Sequence, residues 1–582
     1  MTILLLEMLM SSGDVKADLL IHGSLVNVYS GCISESYIGV KDGRIIYVGK
    51  RPISAQRDLD VGSKFILPAY IDGHVHIESS LVTPSQFAMA VIPRGTCCVV
   101  ADPHEIANVC GVEGIKFMIE DSARTPLKIY FMIPSCVPAT NLETSGAKIG
   151  LEEIEELKQI KQILGLGEVM NFPGVINSEE EIMAKIKSCE GMVIDGHAPG
   201  LRGEALCAYI AAGIMSDHES VTAEEAMEKL SLGMWVMIRE GSTAKNLSEL
   251  SRIVSKGCPE RVMLVTDDRH ADDLLTEGHL DYVLKRAVEE GIDPVDAVRM
   301  VTVKPAEYFG LRRLGAVSPG KSANIVIVDD LKEFKAEMVL IDGEIVAKKG
   351  EYLGTLGKSI IKRAVEKTVH IDKLLPEDFK VSYCGPEDKQ VEVMVIEVVP
   401  DQIFTEKIQC RLPVENGEVL SDLEKDIVKI CVVERHRGSR RIGKGFVKGF
   451  GLKKGALAST VAHDSHNIVA IGVSEDDICR AVNRIEEIDG GLVAVSGEEI
   501  KCELPLPIAG LMSDRGIGFV AERMDELNKS ASDLGCHLRS PFMALSFLAL
   551  PVIPKLKITD LGLVDVEKMK LIDLFVSPFD QK

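Results

Sequence analysis

No stretch of this chain approaches the roughly 18 uninterrupted apolar residues that a membrane-spanning helix needs. The opening "MTILLLEMLMSSGDVKADLL" has an apolar patch, but it lacks a basic start and Glu7 interrupts it, so it does not read as a secretory signal. Positive charge is in deficit. Against 88 Asp and Glu stand 66 Lys and Arg, a net of -22, which excludes a basic nucleic-acid-binding face. The 14 cysteines form no CxxC pair and have no regular spacing, so reduced thiols are expected rather than a disulfide framework. A cytoplasmic protein with no membrane and no nucleic-acid partner follows. Short repeats and low-complexity segments are missing too. So are the P-C-x-x-C of the zinc deaminases that act on nucleic-acid bases and the G-x-S-x-G of serine hydrolases.

What is present is globular: 46% hydrophobic and 26% charged residues over 582 positions, too long for one ordinary core. From Asp18 to Gly49 short strands alternate with polar-Gly turns, and similar pieces return at 315–330 and 337–350. Two such pieces flanking a long middle suggest one small sheet built from both. The middle alternates strand-like runs (65–73, 96–105, 128–135, 163–170, 191–197, 213–219, 234–240 and 261–268) with helix-like segments such as 151–164 and 222–232. Eight β-then-α units imply a parallel sheet with right-handed crossovers, and their length suits a (β/α)8 barrel. An open doubly wound sheet is the competitor. It would favour a Gly-rich phosphate loop after the first strand, where this chain has His-Val-His. The expected fold is α/β: a (β/α)8 barrel over 66–312, a small flanking β-sandwich from 1–65 and 313–355, a linker over 356–375, and a C-terminal α+β domain over 376–582.

Chemistry-bearing residues gather at the strand ends. In "LPAYIDGHVHIESS", His74 and His76 are two apart, so an extended backbone turns both to one side. Strand four ends in Glu168, strand five in His197, strand six in His218 and strand eight in Asp267. Taken singly, each has a plain structural explanation, since Glu168 and Asp267 suit helix starts and His218 lies among capping residue types. Helix capping alone would place Ser, Thr or Asn at these ends as often. Four imidazoles and two carboxylates at the face where barrel enzymes build their sites make a set suited to two divalent ions, one carboxylate bridging them. Strand two adds "DPHE", with His104 and Glu105, and Glu105 is a candidate proton carrier. In the C-terminal region "HDSHN" holds His463 and His466, read as a lid or substrate-holding loop, with a structural role as the alternative.

The motifs "IDGHVHIESS", "VVADPHEIANVCG", "GLGEVMNFPGV", "DGHAPGL" and "SDHES" resemble the amidohydrolase superfamily and, within it, the adenine deaminases of bacteria and archaea. Many amidohydrolases carry a carboxylated lysine on strand four. Here that position holds Glu168, which points to the narrower match. The resemblance implies hydrolytic deamination of free adenine to hypoxanthine and ammonia by a metal-bridged hydroxide, within purine salvage. Asp267 would take the proton of the attacking water and Glu105 would protonate the ring. It implies two divalent ions, manganese or iron with manganese the usual activator, and zinc also suits the donors. A homo-oligomer is the expected assembly. The competing readings are another amidohydrolase acting on a cyclic amide or related aminopurine, and a barrel that serves only as a scaffold.

Overall fold

The computed structural model describes residues 16–254, 260–356, 363–385, 389–400 and 402–576. The apolar opening patch and the middle of the 353–367 connector lie outside the described residues.

Eight parallel strands form the barrel: β1 Tyr70–His76, β2 Thr96–Ala101, β3 Lys128–Ile133, β4 Ile163–Val169, β5 Val193–Gly196, β6 Ser216–Asp217, β7 Trp235–Arg239 and β8 Val262–Val265. Ladders join β1 through β5 in order, and β6 through β8. Between β5 and β6 the Met215 N–H donates to the Ile194 carbonyl at 2.9 Å. Past β8 the chain turns at Thr266, and Asp267–Asp268 pair with Val75–His76, which closes the ring. The strands are almost wholly buried and rich in Val, Ile and Met, as a sheet covered on both faces demands.

Sequence reasoning starts the first barrel strand at residue 65, whereas the structure starts it at Tyr70. Residues 65–68 end a long strand of the flanking sheet, Ala55–Pro68, and pair with Val328 back to Ile325. The two runs are contiguous and both apolar, so hydrophobicity alone does not divide them. The flanking domain is one eight-stranded sheet that takes strands from both sides of the barrel sequence. It curls until its edge strand Arg44–Gly49 reaches residues 320–323: Ile45 N–H donates to Lys321 O at 2.9 Å, and Ala323 N–H to Gly43 O at 2.8 Å. Leu19, Ile21, Ile38, Ile325, Ile327 and Leu340 share the core this curl encloses.

Residues 390–505 build a nine-stranded sheet, with the amphipathic helix Glu475–Glu487 packed by Ile478, Val482 and Ile485 on one face. Helices Ile517–Asp533 and Pro541–Phe547 pack between this sheet and the barrel, and one continuous apolar core runs across the junction. Polar contacts fix the docking. Asp560, 1% exposed, accepts hydrogen bonds from Thr144 N–H at 2.9 Å, Thr144 Oγ1 at 2.7 Å and Arg441 Nη1 at 3.2 Å. Thr559 Oγ1 donates to Leu142 O at 2.6 Å, and Asn467 Nδ2 to Thr144 O at 2.8 Å. Asp560→Ala strands these donors at a buried junction, so it should destabilise the protein by about 2 kcal/mol or more. Thermal unfolding followed by circular dichroism measures this, and an unchanged melting temperature would contradict it.

Candidate active site

Strand geometry places the candidate ligands. In β1 two residues, Gly73 and His74, fall between the pairs Asp72–Val99 and Val75–Ala101, where the partner has one. In β4, Gly167 and Glu168 likewise fall between Leu166–Ile194 and Val169–Gly196. Both are bulges, devices that re-aim a side chain at a strand end. Gly167 is required as such: a Cβ there would lie 2.0 Å from Asp102 Oδ2. Asp267 has a positive φ of 62°, a left-handed conformation that Asp tolerates better than most residues and that sharply turns the chain at the barrel mouth.

These devices bring all six predicted ligands together. His74 Nε2 lies 3.1 Å from His76 Nε2 and 3.5 Å from Asp267 Oδ1. His76 Nε2 is 3.2 Å from Asp267 Oδ1 and 3.4 Å from Glu168 Oε1. The second oxygen of Glu168 meets His197 Nδ1 at 2.7 Å and His218 Nε2 at 3.1 Å. The His74 and His218 rings stack with centroids 4.1 Å apart. Glu168 thus lies between two imidazole pairs. Around it, the trios His74–His76–Glu168, His74–His218–Asp267 and Glu168–His197–His218 each keep their ligand atoms within 4.8 Å of one another.

Tautomers test whether these donors suit a cation. His76 Nδ1 faces the Asp102 carbonyl at 3.0 Å, and a carbonyl only accepts, so Nδ1 carries the proton and Nε2 is left to ligate. A ligating histidine held by its second nitrogen is the usual arrangement at metal centres. The set has nitrogen and oxygen donors and no thiolate, which suits divalent manganese, iron or zinc.

Residues that sequence reasoning did not single out hold the ligands in place. Asp102 does so twice, through its carbonyl to His76 and through Oδ2, which accepts the Glu168 N–H at 3.0 Å. Arg239 Nη1 donates to Asp267 Oδ2 at 2.9 Å and Nη2 to Glu219 Oε2 at 2.8 Å. Burial alone would raise the Asp267 carboxyl, but the facing His74 and His76 imidazoles and the Arg239 charge outweigh it and hold it well below the usual range. The "DPHE" and "SDHES" motifs carried Asp102 and Glu219 in plain view. No spacing rule separates such supports from the ligands beside them.

A second cluster adjoins the first and takes residues from both domains. His104 Nδ1 lies 3.4 Å from Glu168 Oε1, and His104 Nε2 lies 3.3 Å from Glu105 Oε1. The "HDSHN" loop sets His463 Nδ1 2.5 Å from Glu105 Oε1, and His466 Nε2 contacts Glu105 Oε2. His466 Nδ1 accepts the Ala462 N–H at 3.1 Å, so its Nε2 carries a proton and donates to Glu105 rather than ligating. Burial lowers His466 to about 4, which keeps it neutral in this tautomer. His463 behaves oppositely: burial would lower it, but Glu105 raises it to about 9. Burial would raise Glu105 itself, yet His463, His466 and His104 outweigh that and hold it well below the usual carboxylate range.

With this geometry in view, comparison with known proteins is direct. Residues 65–346 match the Amidohydrolase family model, and residues 402–570 match the model of the Adenine deaminase C-terminal domain. The chain is 48% identical to an adenine deaminase of Methanothermobacter thermautotrophicus over 95% of its length and 99% of that protein's. It is 47% identical to one from Archaeoglobus fulgidus (97% and 96%) and 45% identical to one from Dehalococcoides mccartyi (96% and 97%). The class is therefore a metal-dependent amidohydrolase with an added C-terminal domain. Within it, the chain belongs to the adenine deaminase family.

The two clusters should separate by metal content. His76→Ala and Glu168→Ala should each cut bound divalent metal to about half or less of wild type, since catalytic sites lean on each ligand and its support. His466→Ala should leave metal content unchanged. Elemental analysis of the purified proteins distinguishes these outcomes, and metal loss in His466→Ala would refute the tautomer assignment.

Proposed function

We propose that this enzyme hydrolyses free adenine to hypoxanthine and ammonia in the cytoplasm, as a step of purine salvage. The observation that carries the reading is the convergence of four imidazoles and two carboxylates at one barrel mouth, in a chain that matches adenine deaminases over nearly its whole length. His74, His76, Glu168, His197, His218 and Asp267 would hold two divalent ions, manganese first among them. When bound, these supply a water acidic enough to attack at neutral pH.

The protein's own groups handle the protons. Asp267, kept ionised beside Arg239, takes the proton of the attacking water and passes it to the departing amine. Protonation of the purine at N1 lets the ring accept the electron pair as C6 becomes tetrahedral. Glu105 is the proton carrier for that step, and His463 is its reservoir, charged at neutral pH and 2.5 Å away; as the C6–N bond breaks and C6=O forms, the C6 hydroxyl proton returns to this pair and restores it. Each positioned proton transfer is worth about 10²–10⁴ in rate. The C-terminal domain thereby contributes to the chemistry, because His463 and His466, which contact Glu105, come from it. Cyclic-amide hydrolysis fits less well, since strand four carries Glu168 in place of the lysine. A scaffold role leaves the intact ligand set unexplained.

Enzyme from manganese-supplemented cells should turn over adenine, followed by absorbance and ammonia release, and should leave cyclic amides untouched. Asp267→Asn should lower kcat by about 10² or more with a smaller change in KM. Turnover of cyclic amides but not adenine would reject the assignment.

A further inference from the structure

A cavity lies between the barrel mouth and the C-terminal domain, beside Glu105. Its walls are mostly apolar, with Leu81 from the barrel side and Leu511, Met524, Phe542 and Met543 from the other. Six polar side chains interrupt this lining: Ser79, Glu105 and His466, and three that each have a buried atom without a hydrogen-bond partner, Glu78 (Oε2), His270 (Nε2) and His463 (Nε2). Glu78 and His463 are 3% and 5% exposed. Buried polar atoms are nearly always paired, so three orphans on one apolar cavity call for a ligand that pairs them. An apolar slot with a few convergent polar atoms is the usual form of a small-molecule site.

The ligand's chemistry follows from the atoms. A flat heteroaromatic ring offers two apolar faces to Leu511, Met524 and Phe542. Its edge offers ring nitrogens as acceptors and one ring N–H as a donor. Glu78 stands in the single turn Ile77–Ser80 just after the ligand histidines, and its Oε1 is already engaged by the Ile106 N–H at 3.3 Å. Its Oε2 is left for the cavity. Ionised or protonated, a carboxyl retains an acceptor oxygen.

We propose that this cavity is the purine slot and that Glu78 selects the free base by accepting the N–H of the five-membered ring. The inference rests on the adenine reading above and adds the residue that sets substrate class. A nucleoside has its sugar on that ring and no ring N–H, so it would leave Glu78 buried and unpaired. Sites built to bond a substrate N–H reject analogues lacking it by about 10⁴ or more. His463 and His270 meet ring nitrogens on the remaining edge. The free space is about 30 Å³, enough for water and short of a purine. Entry therefore requires lining side chains to move, and Met524 and Met543, unbranched and flexible, are suited to it.

The test compares adenine with 9-methyladenine, which keeps every ring atom and lacks the ring N–H. Wild type should prefer adenine by about 10² or more in kcat/KM. In Glu78→Ala that preference should collapse at least tenfold, chiefly through a higher KM for adenine, with bound metal unchanged. Glu78→Gln, which preserves shape and an acceptor oxygen, should fall between the two. A purely structural role, through the bond to Ile106, would slow both substrates equally and leave the ratio intact, and that result in either variant overturns the proposal. Should wild type fail to deaminate adenine at all, the functional assignment falls instead, so the two failures are distinct.

Discussion

Everything at the barrel mouth depends on burying charge that cannot be buried alone. Glu105, Glu168, Asp267 and the histidines around them are each at most about one-seventh exposed in their side chains. An unpaired carboxylate in such surroundings costs several kcal/mol. The fold meets that cost with opposed partners: imidazoles on both oxygens of Glu168, Arg239 on Asp267, three histidines on Glu105. The first cluster presents ligand nitrogens toward a shared centre and suits cations. The second presents N–H groups toward a carboxylate and suits protons. Hydrogen-bond partners one bond further out, the Asp102 carbonyl and the Ala462 N–H, decide which is which.

Much of this was legible in the sequence because barrel geometry converts chain position into location. His74 and His76 are readable from strand period, and Glu168, His197, His218 and Asp267 from their places at strand ends. The outlying supports were not. Asp102, Arg239 and Glu219 act through contacts with residues distant in sequence, and nothing local marks a carboxylate as a holder of ligands. Glu78 lay inside the most conspicuous motif and drew no notice, because its significance is an unpaired oxygen beside a cavity, which only three-dimensional packing creates.

The boundary error at the first barrel strand has the same origin. Residues 65–68 and 70–76 form one apolar run, yet they serve two different sheets. The reach of the "HDSHN" loop was half visible. The loop is a non-helical turn with His466 in the left-handed region (φ 53°), closed by the His466 N–H donating to Ala462 O at 2.8 Å, and it still aims both imidazoles at one carboxylate. That both would close on Glu105 was beyond any local signal.

The division of labour between the two halves of the chain bears on biosynthesis. The six candidate cation ligands all lie at or before Asp267, whereas His463 and His466 belong to a domain synthesised far later. A nascent polypeptide emerging from the ribosome thus carries every candidate cation ligand before either histidine that contacts Glu105 from the second domain has been made.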